Sequence, residues 1–273
     1  MFAAASSIAL GLLLIVFLFV GLSIYVAVVW QISARPMAAL PEGAPAPPKN
    51  FGLADAILAA AITAYIIAGI AFSASRPAGT MDNRALFAGV LLTLIIVFLI
   101  ALLLKLRGID IDSIGGFSKT SLKRAVSTGI ILLLAGTPLI LLAEALTQSL
   151  FGSGSSRQEI VDLFNSSQTL QQRVMIIVLA VVVAPMSEEF IFRFFIYGVV
   201  RRYFGIAIGL VFNAALFAAA HNHLPSAAPL FVLGACFTLA YEWSGSILVS
   251  MAMHTLFNSV QLIFLAFPNL FQQ

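Results

Sequence analysis

Apolar residues run through this chain in long blocks, separated by short stretches where charges, prolines and glycines collect. The blocks fall at about 5–30, 53–73, 85–104, 125–151, 173–203, 206–221, 227–243 and 246–267. A helix rises about 1.5 Å per residue, so some 20 apolar residues cross a bilayer core. The pattern therefore predicts eight transmembrane helices. The first block ends at an interfacial Trp30; it lacks a basic n-region and is longer than a cleaved signal's apolar core, so it reads as a retained span. Between spans one and two lies a linker with Pro36, Pro41, Pro45, Pro47 and Pro48, too rich in proline for a helix. Residues 105–124 make a polar loop, and 152–172 open with Gly and Ser before an amphipathic stretch with Ile160, Val161, Leu163 and Phe164, expected to lie in the interface. Pro138 predicts a kink in the fourth span and Pro185 a kink or unwound turn in the fifth. Asp55, at the start of the second span, is expected to reach the headgroups. Glu144, late in the fourth, is expected to bond a neighbouring helix or sit near the interface.

Composition narrows the class. Of 273 residues, 61% are hydrophobic and 9% charged, and the mean hydropathy is +1.07. That excludes an ordinary soluble domain and predicts an all-α polytopic protein of about eight transmembrane helices, multi-pass in the cell membrane. The net charge of +3 would suggest nucleic acid in a soluble chain. Here the basic residues flank apolar spans, as membrane orientation requires, so no nucleic-acid partner is expected. Nine Lys and Arg fall in loops one, three and five against four in loops two and four, which puts the N-terminus outside. A single cysteine, Cys236, rules out an intrachain disulfide, and the final LFQQ is not a C-a-a-X lipidation box.

The fifth block breaks its own rule. Between Arg173 and the Arg201/Arg202 pair it carries Glu188, Glu189 and Arg193 near its middle, roughly 20 Å from either end. An ionised group at that depth costs on the order of 2.5–3.5 kcal/mol even on insertion scales. Glu189 and Arg193, four apart, lie about 40° from each other around a helix and can pair. Glu188 points roughly 140° away from Arg193, beyond easy reach of the guanidinium. A carboxylate left without a cation in a low-dielectric site is suited to general-base work. Its bland alternative is a protonated carboxyl bonded to a backbone carbonyl.

More polar groups follow on later spans. Phe217 and His221 are four apart, as are His254 and Asn258, so each pair shares one helix face. A carboxylate, two imidazoles and an amide can activate a water and hold an oxyanion. Structural hydrogen bonding between helices is the alternative for both histidines. His223 falls in a short loop and reads as interfacial. Two carboxylates and two imidazoles could also bind zinc. Against that, Glu189 would have to leave Arg193, and no H-E-x-x-H is present, so the expectation is no metal cofactor.

Three motifs, E-E-x-x-x-R at Glu188–Arg193, F-x-x-x-H at Phe217–His221 and H-x-x-x-N at His254–Asn258, resemble in order the signatures of the CPBP (Abi) family. That family comprises CAAX prenyl endopeptidases and bacteriocin-processing or immunity-type membrane proteins. The resemblance covers about 173–265. It implies an intramembrane glutamic endopeptidase in which Glu188 activates water and His221 positions that water or the scissile group. His254 and Asn258 would stabilise the oxyanion, while Glu189, Arg193 and Phe217 support the site. It divides the chain into an accessory region, 1–120, with three spans and a catalytic region, 121–273, with five. The implied partners are membrane lipids and a peptide or protein substrate at the membrane, with a lipidated C-terminus as one branch's substrate. Phe194 departs from the glycine that often follows the arginine, which bears on local packing. Two other readings stay open: a silent immunity or adaptor protein of the same family, and a proton-coupled transporter.

Overall fold

The computed structural model describes residues 2–35, 50–74, 83–151 and 169–266. The proline-rich linker and the amphipathic stretch with Ile160, Val161, Leu163 and Phe164 lie outside them. The described residues form helices, with no strand among them. α1 is Phe2–Ser33, α2 Leu53–Ala74, α3 Asn83–Leu106, the short α4 Ile111–Gly115 and α5 Leu122–Phe151. One hydrogen-bonded run then joins α6, Leu170–Val178, to α7, Ala184–Glu189, and α8, Gly198–Ala220. Two wider, π-helical stretches, Leu179–Val183 and Phe190–Tyr197, lie between them. α9, Ala227–Ser244, and α10, Ile247–Ala266, complete the bundle.

Seven helical stretches among the described residues are long and apolar enough to cross a membrane, where the sequence pattern gives eight spans. The difference lies in the run Leu170–Ala220, whose 51 residues would measure roughly 75 Å, more than twice a bilayer core. It breaks at Gly205, with φ 83° and ψ 174°, a conformation open to glycine and strained for other residues. Beyond the break the chain folds back: Gly209 lies against the Tyr197 ring and the Arg201 backbone, where an added Cβ would be 3.1 Å from the ring. Two expected spans thus survive as two arms of one folded run. The protein is an all-α, multi-pass membrane protein.

Burial runs opposite to that of a water-soluble bundle. Leu13, Phe19, Phe98, Leu141 and Phe204 are exposed, whereas Asp55, Glu189, Arg193, Asn213, Thr238 and His254 are buried. Lipid accepts the apolar side chains as readily as a core would, so the polar groups must find one another inside. Asn213 donates to Thr238 Oγ1 at 2.9 Å, tying α8 to α9. Asp55 corrects the sequence expectation. It is fully buried, accepts from the Gly52 amide at 2.6 Å and pairs with Arg107 at the end of α3. The apolar pattern could not show that this carboxylate has a partner 52 residues downstream. Glu144 bonds Gln148 on its own helix at 2.9 Å rather than a neighbouring one.

Close approaches fix the packing around the fifth span. Every residue of Phe190–Tyr197 is buried. Phe51 meets Phe194 and Phe195 edge-on, both at 5.9 Å between centroids, and Phe194 stacks on Phe190 at 4.7 Å. Phe194 therefore fills its fully buried place with aromatic contacts. α1 packs on α5 at Gly21, where an added Cβ would enter the Ala135 carbonyl and lie 2.8 Å from Pro138 Cγ. On the loop side, Asp112 in α4 takes both the hydroxyl and the amide of Ser118, which hold its carboxyl below the ordinary carboxylate range.

Two outcomes are expected. Gly21→Leu forces α1 off α5 and costs about 1–3 kcal/mol by overpacking, read as earlier unfolding in detergent. The Asp112–Ser118 clasp stands at pH above the ordinary carboxylate value of about 4 and opens as pH falls through the lowered value, because protonation removes the favoured acceptor. Protection of the amides over 108–120, taken relative to intrinsic exchange at each pH, should then fall in acid. Ser118→Ala should weaken that pH dependence, since the amide at 118 still donates to Asp112.

Candidate active site

Three segments bring the chemistry together: the middle of the long run, the end of α8 and the middle of α10. Glu189, at the end of α7, is fully buried and pairs with Arg193 one turn on, 3.0 Å from Oε1 to Nη1. The expected i,i+4 pair is present. Arg193 is also fully buried, and its surroundings explain how it is tolerated. The guanidinium carbon lies 4.1 Å from the centroid of Phe217, 5.1 Å from Phe237 and 5.9 Å from Phe192. Nη2 donates to the Gly234 carbonyl at 3.4 Å. Aromatic faces attract a desolvated cation by about 2 kcal/mol or more, so the cage helps to compensate for lost hydration. Phe217 thus lies against Arg193, and its ring is also 4.6 Å from His221 and 5.8 Å from His254.

Glu189 has a second partner that sequence spacing does not reveal. The same Oε1 lies 2.9 Å from His254 Nδ1. A carboxylate there accepts a hydrogen bond from Nδ1–H, which fixes the ring and turns Nε2 to the other side. On that side is Glu188, whose Oε2 stands 3.8 Å from Nε2. This separation exceeds a direct hydrogen bond. Oε2 of Glu188 is enclosed and has no hydrogen-bond partner among the described residues. The two adjacent glutamates hence grip one imidazole from opposite edges in different ways. Only Glu189 is committed to Arg193 and to a short bond.

Glu188 and His221 both line a cavity of about 250 Å³. His221 Nδ1 is 2.8 Å from the Phe217 carbonyl, which only accepts, so Nδ1 carries the hydrogen and Nε2 is the remaining ring nitrogen. The rest of the wall comes from Ile191, Phe192 and Ala220, and from Ile62, Tyr65, Ile66, Thr93 and Ile96 on α2 and α3. That contribution from the second and third spans was not foreseen. It has no local signature, since those residues look like any lipid-facing stripe.

Asn258 is placed differently from the histidines. Its side-chain amide donates to the Ala180 backbone carbonyl at 2.7 Å, on the π-helical stretch before Pro185. His223 lies apart, bonded to Ser226 Oγ at 2.8 Å. Among the described residues no group of three or more His, Cys, Asp or Glu is disposed to hold a metal ion. A further buried carboxylate, Glu242 on α9, was not singled out from sequence. It accepts from Tyr197 at 2.7 Å and pairs with Arg201 at 3.0 Å. The signal for it exists: Glu189, Arg193, Tyr197 and Arg201 recur every four residues along one stripe.

Known proteins were then compared with the chain. Residues 170–260 match the family described as type II CAAX prenyl endopeptidase Rce1-like. All seven residues singled out from sequence fall inside that range. This region is similar to the CAAX-protease family. A relative from Staphylococcus aureus strain USA300, the membrane-embedded CAAX protease MroQ, is 30% identical over 89 residues. The alignment covers 30% of this chain and 36% of that protein, so the chain spans about a third of the relative's length. No solved structure matches it.

The buried pair makes the site's stability asymmetric. Arg193→Met leaves the Glu189 charge in the interior and is expected to cost about 3–5 kcal/mol. Adding Glu189→Gln should recover part of that loss, in a double-mutant cycle followed by thermal unfolding in detergent.

Proposed function

We propose that this protein is an intramembrane endopeptidase of the CAAX-protease type, in which Glu188 activates the attacking water. The observation that carries this reading is the enclosed, unpartnered Oε2 of Glu188, 3.8 Å from an imidazole nitrogen whose ring Glu189 holds from behind. A water bonded to Glu188 and to His254 Nε2 would be oriented by both. As its oxygen attacks the scissile carbonyl carbon, one proton passes to the Glu188 carboxylate. The carbonyl π-bond opens to an oxyanion. Glu188 then returns the proton to the departing nitrogen as the C–N bond breaks, leaving an amine and a carboxylic acid that gives its proton to solvent.

The developing oxyanion needs donors. His254, with Nδ1 held on Glu189, would turn Nε2 toward Glu188. His221, on the cavity wall with Glu188, would orient the water or the scissile group. Arg193 and Phe217 support the site without touching the reaction. Asn258, expected beside the oxyanion, enters with one amide hydrogen already given to Ala180. The scheme uses no metal.

The substrate would be a peptide held at the membrane. The cavity has a polar end, at Glu188 and His221, and apolar walls at Ile62, Ile66, Ile96, Ile191 and Phe192. That polarity suits a peptide bond next to an apolar attachment, in keeping with the CAAX substrates named for the family. In nanodiscs, the protein should cleave a quenched C-terminal peptide carrying an isoprenoid and spare the unmodified peptide. Glu188→Gln should lower turnover by at least about 10²-fold with little change in thermal stability. EDTA should leave the rate unchanged. Full activity of Glu188→Gln would overturn the mechanism, and loss of activity with EDTA restored by zinc would favour the metal.

A further inference from the structure

The bond from Asn258 to Ala180 falls where the backbone has a missing donor. In the stretch Leu179–Val183 the ladder is widened: the Ala184 N–H bonds the Leu179 carbonyl, five residues back. The next N–H in that register belongs to residue 185 and would bond Ala180. Residue 185 is proline and has no N–H. The Ala180 carbonyl, on a buried residue inside a membrane helix, would be an orphan. Asn258 Nδ2, 78 positions later on α10, supplies the hydrogen bond at 2.7 Å. The same α10 face carries His254 one turn earlier, and the same helical run carries Glu188 and Glu189 three and four residues after the proline.

We propose that Asn258 is a positioning residue whose side-chain amide replaces the backbone donor that Pro185 lacks, and so locks the widened turn that aims Glu188 and Glu189 at His254. The contact sets the distance between the long run and α10 at one point, and Glu189–His254 sets it at the next. Two such ties on one helix face fix both the spacing and the rotation of α10. In the same turn the Ser187 hydroxyl donates to the Val183 carbonyl at 2.7 Å. Asn258 acts through Ala180, on geometry. The proposal builds on the active-site assignment above but not on turnover alone.

The test is a double-mutant cycle in the full chain, in nanodiscs, with N258A, P185A and P185A/N258A. Alanine at 185 restores an N–H, so Ala180 no longer needs Asn258. N258A alone should lower the melting temperature by a few degrees, and on a P185A background it should lower it little. With the isoprenoid peptide as substrate, N258A should reduce kcat tenfold or more while KM changes less than twofold. P185A/N258A should recover kcat to within about threefold of P185A. Equal losses of stability and kcat in both backgrounds would overturn the proposal, because they would place the Asn258 effect on the substrate or elsewhere in the core. If the wild type cleaves nothing, the protease assignment fails, and the coupling in melting temperature still decides whether Asn258 serves Ala180.

Discussion

A guanidinium with no access to water governs this structure. Arg193 cannot lose its charge, so everything within reach of it must answer that charge. Glu189 answers it electrostatically from the preceding turn, and Phe217, Phe237 and Phe192 answer it with their ring faces. Those rings come from the long run, α8 and α9, so satisfying the cation also gathers three helical segments. His254 joins through the second bond to Glu189, which brings in α10. The arrangement differs from a soluble core in what drives it. Lipid offers the apolar side chains no reason to leave, and the polar interior supplies the specificity instead.

From that follows the different treatment of two neighbouring carboxylates. Glu189 has both its charge and its geometry fixed by Arg193 and His254. Glu188, one residue earlier, faces the cavity and keeps an enclosed oxygen without a partner. One is a strut and the other is available for chemistry. The protein reaches this division by rotation about a helix, using adjacent residues.

Much of this could be read from the chain because its signals are local. Block length gave the spans, and four-residue spacing gave the Glu189–Arg193 pair and the shared faces of Phe217/His221 and His254/Asn258. The motifs also fall inside the range that matches the family model. What escaped was non-local. Asp55 looked like an end charge because Arg107 is on another helix. The histidine bonded to Glu189 lies 65 residues away, and the α2 and α3 walls of the cavity are apolar residues without distinguishing marks. Glu242 was passed over although Tyr197 and Arg201 extend the Glu189–Arg193 stripe toward it. The break at Gly205 falls where the sequence pattern separates the fifth span from the sixth.

The intrahelical character of the Glu189–Arg193 pair also bears on biogenesis. Chains enter the bilayer from the N-terminus as they are made, so this segment meets lipid before α9 and α10 have been synthesised. An arginine whose counter-ion came from a later helix would face hydrocarbon alone during that interval. Here acid and base emerge four residues apart on one segment and can neutralise each other within it. His254 arrives last, on the final described helix, and closes a site whose charges were already at rest.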